Sequence, residues 1–94
     1  MHLLGNFEQA VLLAVLRLRA NAYGRAVLKD VRQKLGGDVT SGAVYVTLDR
    51  LEAKGFLASR STAGGRRYFT VLASGARALE KTKQMFDRIW DGFG

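Results

Sequence analysis

Three arginines and the small residues around them are the groups in this chain whose types and spacing could do chemistry. Arg50 follows the run Thr40-Ser41-Gly42-Ala43-Val44-Tyr45-Val46-Thr47, and Arg66-Arg67 follow Gly64-Gly65. A guanidinium is a planar set of donors that fits phosphate oxygens or the edge of a guanine. Small residues at Gly42 and Ala43 let a backbone come close to a partner surface. Thr40, Ser41 and the free N–H groups beside them can bond a phosphate. Tyr45, Val46 and Thr47 can reach bases, thymine methyls or the sugar-phosphate chain, and Arg50 a phosphate or a guanine. Gly65, Arg66 and Arg67 would lay cations on the backbone or in the minor groove beside it. The chemistry is recognition of a polyanion. Bland readings stand next to it: Tyr45 as a half-buried packing residue, Arg50 as one partner of a surface ion pair, Arg66-Arg67 as a solvated turn. Tyr23 is either structural or a phosphate contact.

Catalysis has no comparable footing. There is no cysteine, and the single histidine is His2, at the start of the chain. The acids sit mostly on helix faces beside Lys or Arg, which reads as surface charge rather than as carboxylates tuned for proton transfer. Gly64-Gly65 lacks the strand, lysine and following helix of a phosphate-binding loop. No enzyme activity, metal or cofactor is expected. The charge does point somewhere: 15 Lys+Arg against 8 Asp+Glu give a net +7. Residues 1–72 hold 11 of the basic and 5 of the acidic side chains, so the excess lies on that part. A basic body implies a polyanionic partner, nucleic acid before membrane. The longest apolar run, Ala10 to Leu16, falls far short of the ~20 residues of a membrane span. The opening residues carry no basic n-region, so the chain is expected to be soluble and cytoplasmic.

The elements that must hold these groups can be laid out from periodicity. Phe7 to Ala20 reads as a helix with Asn6 as N-cap and Gln9 as its capping-box partner. Its apolar face is so wide, with Leu12, Leu13 and Leu16 added to the stripe of Phe7, Val11, Ala14, Val15 and Leu18, that it implies contacts on two sides. Tyr23-Gly24 opens a second helix to about Leu35, burying Val27, Leu28, Val31 and Leu35. Asp38-Val39-Thr40 is an extended link or a single strand bridge. Ser41 to Gly55 is the third helix, capped by Thr40 or Ser41 and closed by Gly55, with Val44, Leu48 and Leu51 inward and Tyr45 and Thr47 on the flanks. Two helices joined by a short connection, the second with a small-residue face, make a helix-turn-helix. Phe56 to Arg60 and Arg67 to Val71 form a two-stranded hairpin with a Gly- and Arg-bearing tip. A last helix, about Ala73 to Asp91, crowds Met85, Phe86, Ile89, Trp90 and Phe93 into its second half. At ~19 residues it is about 28 Å long, more than so small a body can cover. Exposed aromatic clusters of that kind mark an interface.

Several segments together resemble the PadR-like winged-helix transcriptional regulators. They are Leu4-Gly5-Asn6-Phe7-Glu8-Gln9, Ala22-Tyr23-Gly24, the whole run from Ser41 to Gly55, Gly64-Gly65-Arg66-Arg67-Tyr68-Phe69 and Leu72-Ala73-Ser74-Gly75. The resemblance implies a mainly α (α+β) chain with a winged helix-turn-helix in residues 1–72 and a C-terminal dimerisation helix in 73–94. It implies a homodimer that represses transcription from double-stranded DNA, sometimes released by a small molecule. The third helix would read the DNA, residues 61–67 would be the wing, and Leu79, Met85, Phe86, Ile89 and Trp90 would form the dimer interface. Val46 stands where many members have proline. The short last helix fits a short branch of the family. A small hydrophobic effector could stack on Phe86 or Trp90, although the same residues suffice as dimer packing. The alternative function is a winged helix that binds proteins instead of DNA.

Overall fold

The computed structural model describes residues 3–93. Its elements run α1 (Asn6–Leu18), a 3-10 turn (Arg19–Asn21), α2 (Gly24–Leu35), α3 (Ser41–Ala53), β1 (Leu57–Ser61), β2 (Arg67–Val71) and α4 (Ala73–Ile89). The architecture is the expected winged helix: helices around one core, with a two-stranded antiparallel wing. Val11, Leu12 and Val15 of α1, Val27 and Val31 of α2, and Val44, Leu48 and Leu51 of α3 make that core, closed by Leu57 and Phe69 of the hairpin. Arg17 of α1 is ion-paired with Asp30 of α2 on the surface above it.

Local differences have clear causes. The α1 cap is Gly5, not Asn6, and its N–H donates to Glu8 Oε1 at 3.0 Å. The helix therefore starts one residue early, and Glu8 rather than Gln9 lies at the third position. Gln9 instead donates its amide to the Leu4 carbonyl oxygen. At the far end Arg19 takes φ 53, which stops α1 at Leu18 and leads into the 3-10 turn. Leu35 is 51% exposed, because the last turn of α2 runs past the core. The strand bridge is not made by Asp38–Thr40. Tyr23 makes it, opposite Tyr68, with Phe69 N–H donating to the Ala22 carbonyl at 2.8 Å. The residue that opens α2 thus ties the wing to the helical body.

The third helix is fastened at both ends. Thr40 Oγ1 accepts from Ala43 N–H at 3.1 Å, settling the cap on Thr40. At the other end Phe56 N–H donates to Leu51 O and Gly55 N–H to Glu52 O, both across Gly55 at φ +80. This is the paired closure that a left-handed glycine allows. The first half of α4 then docks on the body through Gly75, Ala78 and Thr82, which are buried. Leu4 N–H donates to Thr82 Oγ1 at 3.2 Å, and Thr82 Oγ1 donates to the Ala78 carbonyl. The second half extends beyond the body, and the molecule measures 51 × 29 × 20 Å.

Candidate nucleic-acid interface

The outer side of α3 is what its sequence period requires. Thr40, Ser41, Gly42, Ala43, Tyr45, Val46 and Arg50 are all exposed, and Arg50 has no ion-pair partner among the described residues. Thr47 is the exception. It is 8% exposed, three residues after Val44 and four before Leu51, so the turn of the helix carries it into their buried stripe. Thr47 therefore packs with the core rather than standing on the exposed face.

Tyr45 is packed on one side and open on the other. It keeps 40% of its surface in solvent, yet its ring lies against Gly24 at the start of α2. A Cβ on Gly24 would stand 2.3 Å from Tyr45 Cε1 and 2.8 Å from its hydroxyl. Glycine at 24 is thus a condition for the ring's present place, and Tyr45 is seated between α3 and α2 with its hydroxyl end over Gly24.

The wing tip is built on Gly65 at φ +82, with Gly65 N–H donating to the Thr62 carbonyl and Thr62 N–H to the Arg66 carbonyl. Arg66 is exposed, with its guanidinium carbon 4.0 Å from the centre of the Tyr23 ring. Tyr23 in turn meets Tyr68 edge to face, centroids 5.7 Å apart. A cation over an aromatic face is attracted by the ring quadrupole, so Arg66 is ordered yet open to an anion. Arg67, expected on the same outer surface, stays exposed but turns its guanidinium toward α3. It is ion-paired with Asp49 and Glu52 of α3 and bonded to Ser59 of β1. Its pKa is raised: burial works against the charge, but hydrogen bonds and ion pairs with Asp49 and Glu52 outweigh it.

Between the wing, α2 and α3 lies a cleft of about 360 Å³, where Tyr23, Gly24, Arg25, Tyr45 and Arg66 converge and which Arg67 also borders. Arg25 reads in sequence only as part of the basic outer face of α2. The sign that it belongs here is its place one residue after Tyr23-Gly24, at the mouth of a helix.

The expected interface residues of α4 divide between two faces. Leu79 and Phe86 border a groove of about 520 Å³ with Leu13 and Leu16 of α1. Ile89 and Trp90 extend that side, 69% and 55% exposed, and Trp90 meets Phe93 edge to face at 5.0 Å. Met85 does not share it. It is half-buried and lines a separate groove with Phe56, Ala78 and Arg88. Among the described residues no group of His, Cys, Asp and Glu is placed to hold a metal, and no helix is long and apolar enough to cross a membrane.

The profile of the transcriptional regulator PadR-like family matches residues 12–81. A search among curated proteins returns no match. Among solved structures the chain is similar to a PadR family transcriptional regulator from Eggerthella lenta DSM 2243, at 31% identity and TM-score 0.72, covering 89% of this chain and 77% of that one. The hsRosR-S4 complex structure gives TM-score 0.80 at 19% identity, over 95% of this chain and 76% of the other. F93 from STIV, a winged-helix DNA-binding protein, gives 0.70 at 16% identity, over 95% and 97%. The last two identities speak for the fold alone. The matched stretch begins in α1, takes in the third helix and the wing, and ends on the docked half of α4; a chain with that sequence in that architecture belongs to the PadR-like family of transcriptional regulators, which are not enzymes.

Proposed function

We propose that the chain works as a homodimer that represses transcription by holding a palindromic operator in double-stranded DNA. The observation that carries this reading is the outer face of α3, where small residues and an Arg50 without an ion pair among the described residues are presented beside the Arg66-bearing wing tip. In this reading Thr40, Ser41, Gly42 and Ala43 approach the duplex backbone. Tyr45, Val46 and Arg50 face bases or phosphates in the major groove, and Gly65 and Arg66 meet the flanking strand. Residues 1–72 are the reading unit and 73–94 the joining unit. Leu79, Phe86, Ile89 and Trp90 would pack against a second copy, with Leu13 and Leu16 at the edge of that contact. Two α3 helices related by a two-fold axis then enter successive major grooves roughly 34 Å apart. The groove beside Phe86 is where a small hydrophobic effector would enter. The site of action is the cytoplasm.

The test is selection of bound duplexes from a random pool, followed by titration of the recovered sequence over a range of salt. The expected result is a palindromic consensus and a log–log salt slope of about −0.9 for each phosphate neutralised. Equal affinity for recovered and scrambled duplexes at every salt concentration would overturn it.

A further inference from the structure

Arg67 occupies a wing position where a cation should meet DNA, yet its guanidinium is spent elsewhere. Nη1 donates to Asp49 Oδ1 at 3.1 Å, Nη2 to a Glu52 carboxylate oxygen and Nε to Ser59 Oγ at 3.1 Å. Ser59 Oγ donates in turn to Glu52 Oε2 at 2.7 Å. The Phe69 ring supports the guanidinium, its centre 4.8 Å away. Sheet register explains the convergence. Ser59 and Phe69 are directly opposite, and Arg67, two residues before Phe69, shares their side of the hairpin. Asp49 and Glu52, three residues apart on α3, present their carboxylates to that side. Both strands of the wing and the last turns of α3 thus meet at one side chain. Arg66, in the turn before the strand, lies instead over the Tyr23 ring.

A two-stranded hairpin is marginal alone, and this one meets the core through Leu57, Phe69 and the half-buried Val71, all at its end away from the tip or mid-strand. Its angle to α3 therefore needs further support toward the tip, where Arg67 stands. We propose that Arg67 is a positioning residue and not a phosphate contact: it latches the wing to α3 through Asp49 and Glu52, so that Arg66 and the α3 face meet one duplex together. The same guanidinium covers two carboxylates that would otherwise repel the phosphates. This rests on the DNA-binding reading above.

The experiment is a salt titration of operator binding for wild type, Arg67→Ala, the double variant Asp49→Asn with Glu52→Gln, and the triple variant, with a scrambled duplex alongside. A latch predicts that Arg67→Ala weakens operator binding by about fivefold or more and lowers the operator-to-scrambled ratio, with the salt slope unchanged. In the background where both carboxylates are already amides, the same change should alter affinity less than about twofold, the pattern of coupled neighbours. A purely structural role would lower the melting temperature and leave the operator-to-scrambled ratio of the folded protein alone, which overturns the proposal. So does a slope that drops by about 0.9 per lost contact in both backgrounds, which marks a phosphate contact. Should Arg67→Ala not fold, Arg67→Gln, which keeps a donor, carries the same comparison. Failure of wild type to bind any duplex sinks the DNA-binding reading itself; normal wild-type binding with the wrong variant pattern sinks only the latch.

Discussion

At the scale of single residues, two side chains that look alike in sequence have opposite fates. Arg66 sits on the Tyr23 ring and faces solvent, whereas Arg67 is held by Asp49 and Glu52. Arg66→Ala should flatten the salt slope of operator binding by about 0.9 for each phosphate contact removed. An unchanged slope in that variant would take the wing tip out of the interface. Gly24 supplies a second test. Alanine there collides with the far end of the Tyr45 side chain, which can swing away. Gly24→Ala should therefore cost little stability, yet weaken operator binding several-fold by displacing Tyr45, and the loss should vanish in a Tyr45→Ala background. A melt and a binding isotherm of the four proteins decide it. The inward turn of Thr47 was within reach of helical arithmetic, since it is spaced three and four from Val44 and Leu51. The turn of Arg67 toward α3 was not. It depends on which residues of α3 lie under the hairpin, and strand alternation alone cannot say that.

The elements themselves were legible because local chemistry and periodicity agree. Thr40 and Gly55 bracket α3, β2 is a run of aromatic and β-branched residues, and the glycine-rich tip separates the strands. What was not legible is non-local: the strand bridge made by Tyr23, and the docking of α4 on Gly75, whose Cα approaches the body so closely that a Cβ would stand 2.4 Å from the Phe56 carbonyl oxygen. Two open glycines, one in α3 and one just past its end, show how backbone conformation, not space, decides a substitution. Neither Gly42 nor Gly55 would meet an atom within 4 Å through a Cβ. Gly55 has φ +80, so Gly55→Ala should destabilise by about 1 kcal/mol, or roughly 4–8 °C in Tm for a domain this size. Gly42 is within the helix at an ordinary φ, so Gly42→Ala should stabilise by up to about 1 kcal/mol. If α3 lies against the duplex as proposed, the added methyl at 42 also weakens operator binding. Thermal melts check the first pair of signs and a titration the last.

At the scale of the whole molecule, the question is what the free end of α4 is for. A domain of this size buries only about 60–65% of the surface its unfolded chain exposes, and here Phe86, Ile89, Trp90 and Phe93 add a continuous apolar end to Leu13 and Leu16. Leaving such a patch in water invites association. The proposed dimer would bury it, and it would also set the distance between the two α3 helices, so assembly and reading of a palindrome become one geometric requirement. Trp90→Ala should shift the dimer to monomer in sedimentation, and Phe86→Asp with Ile89→Asp should do so completely, because a carboxylate cannot be buried there without a partner. Helix content should hardly change, since α4 docks through Gly75, Ala78 and Thr82 rather than through this end. The monomer should still bind a half-site, with a salt slope about half that of the dimer because half the phosphates are neutralised. A double variant that sediments as an intact dimer would place the interface elsewhere. A monomer that binds the full palindrome as tightly as wild type would separate assembly from recognition altogether.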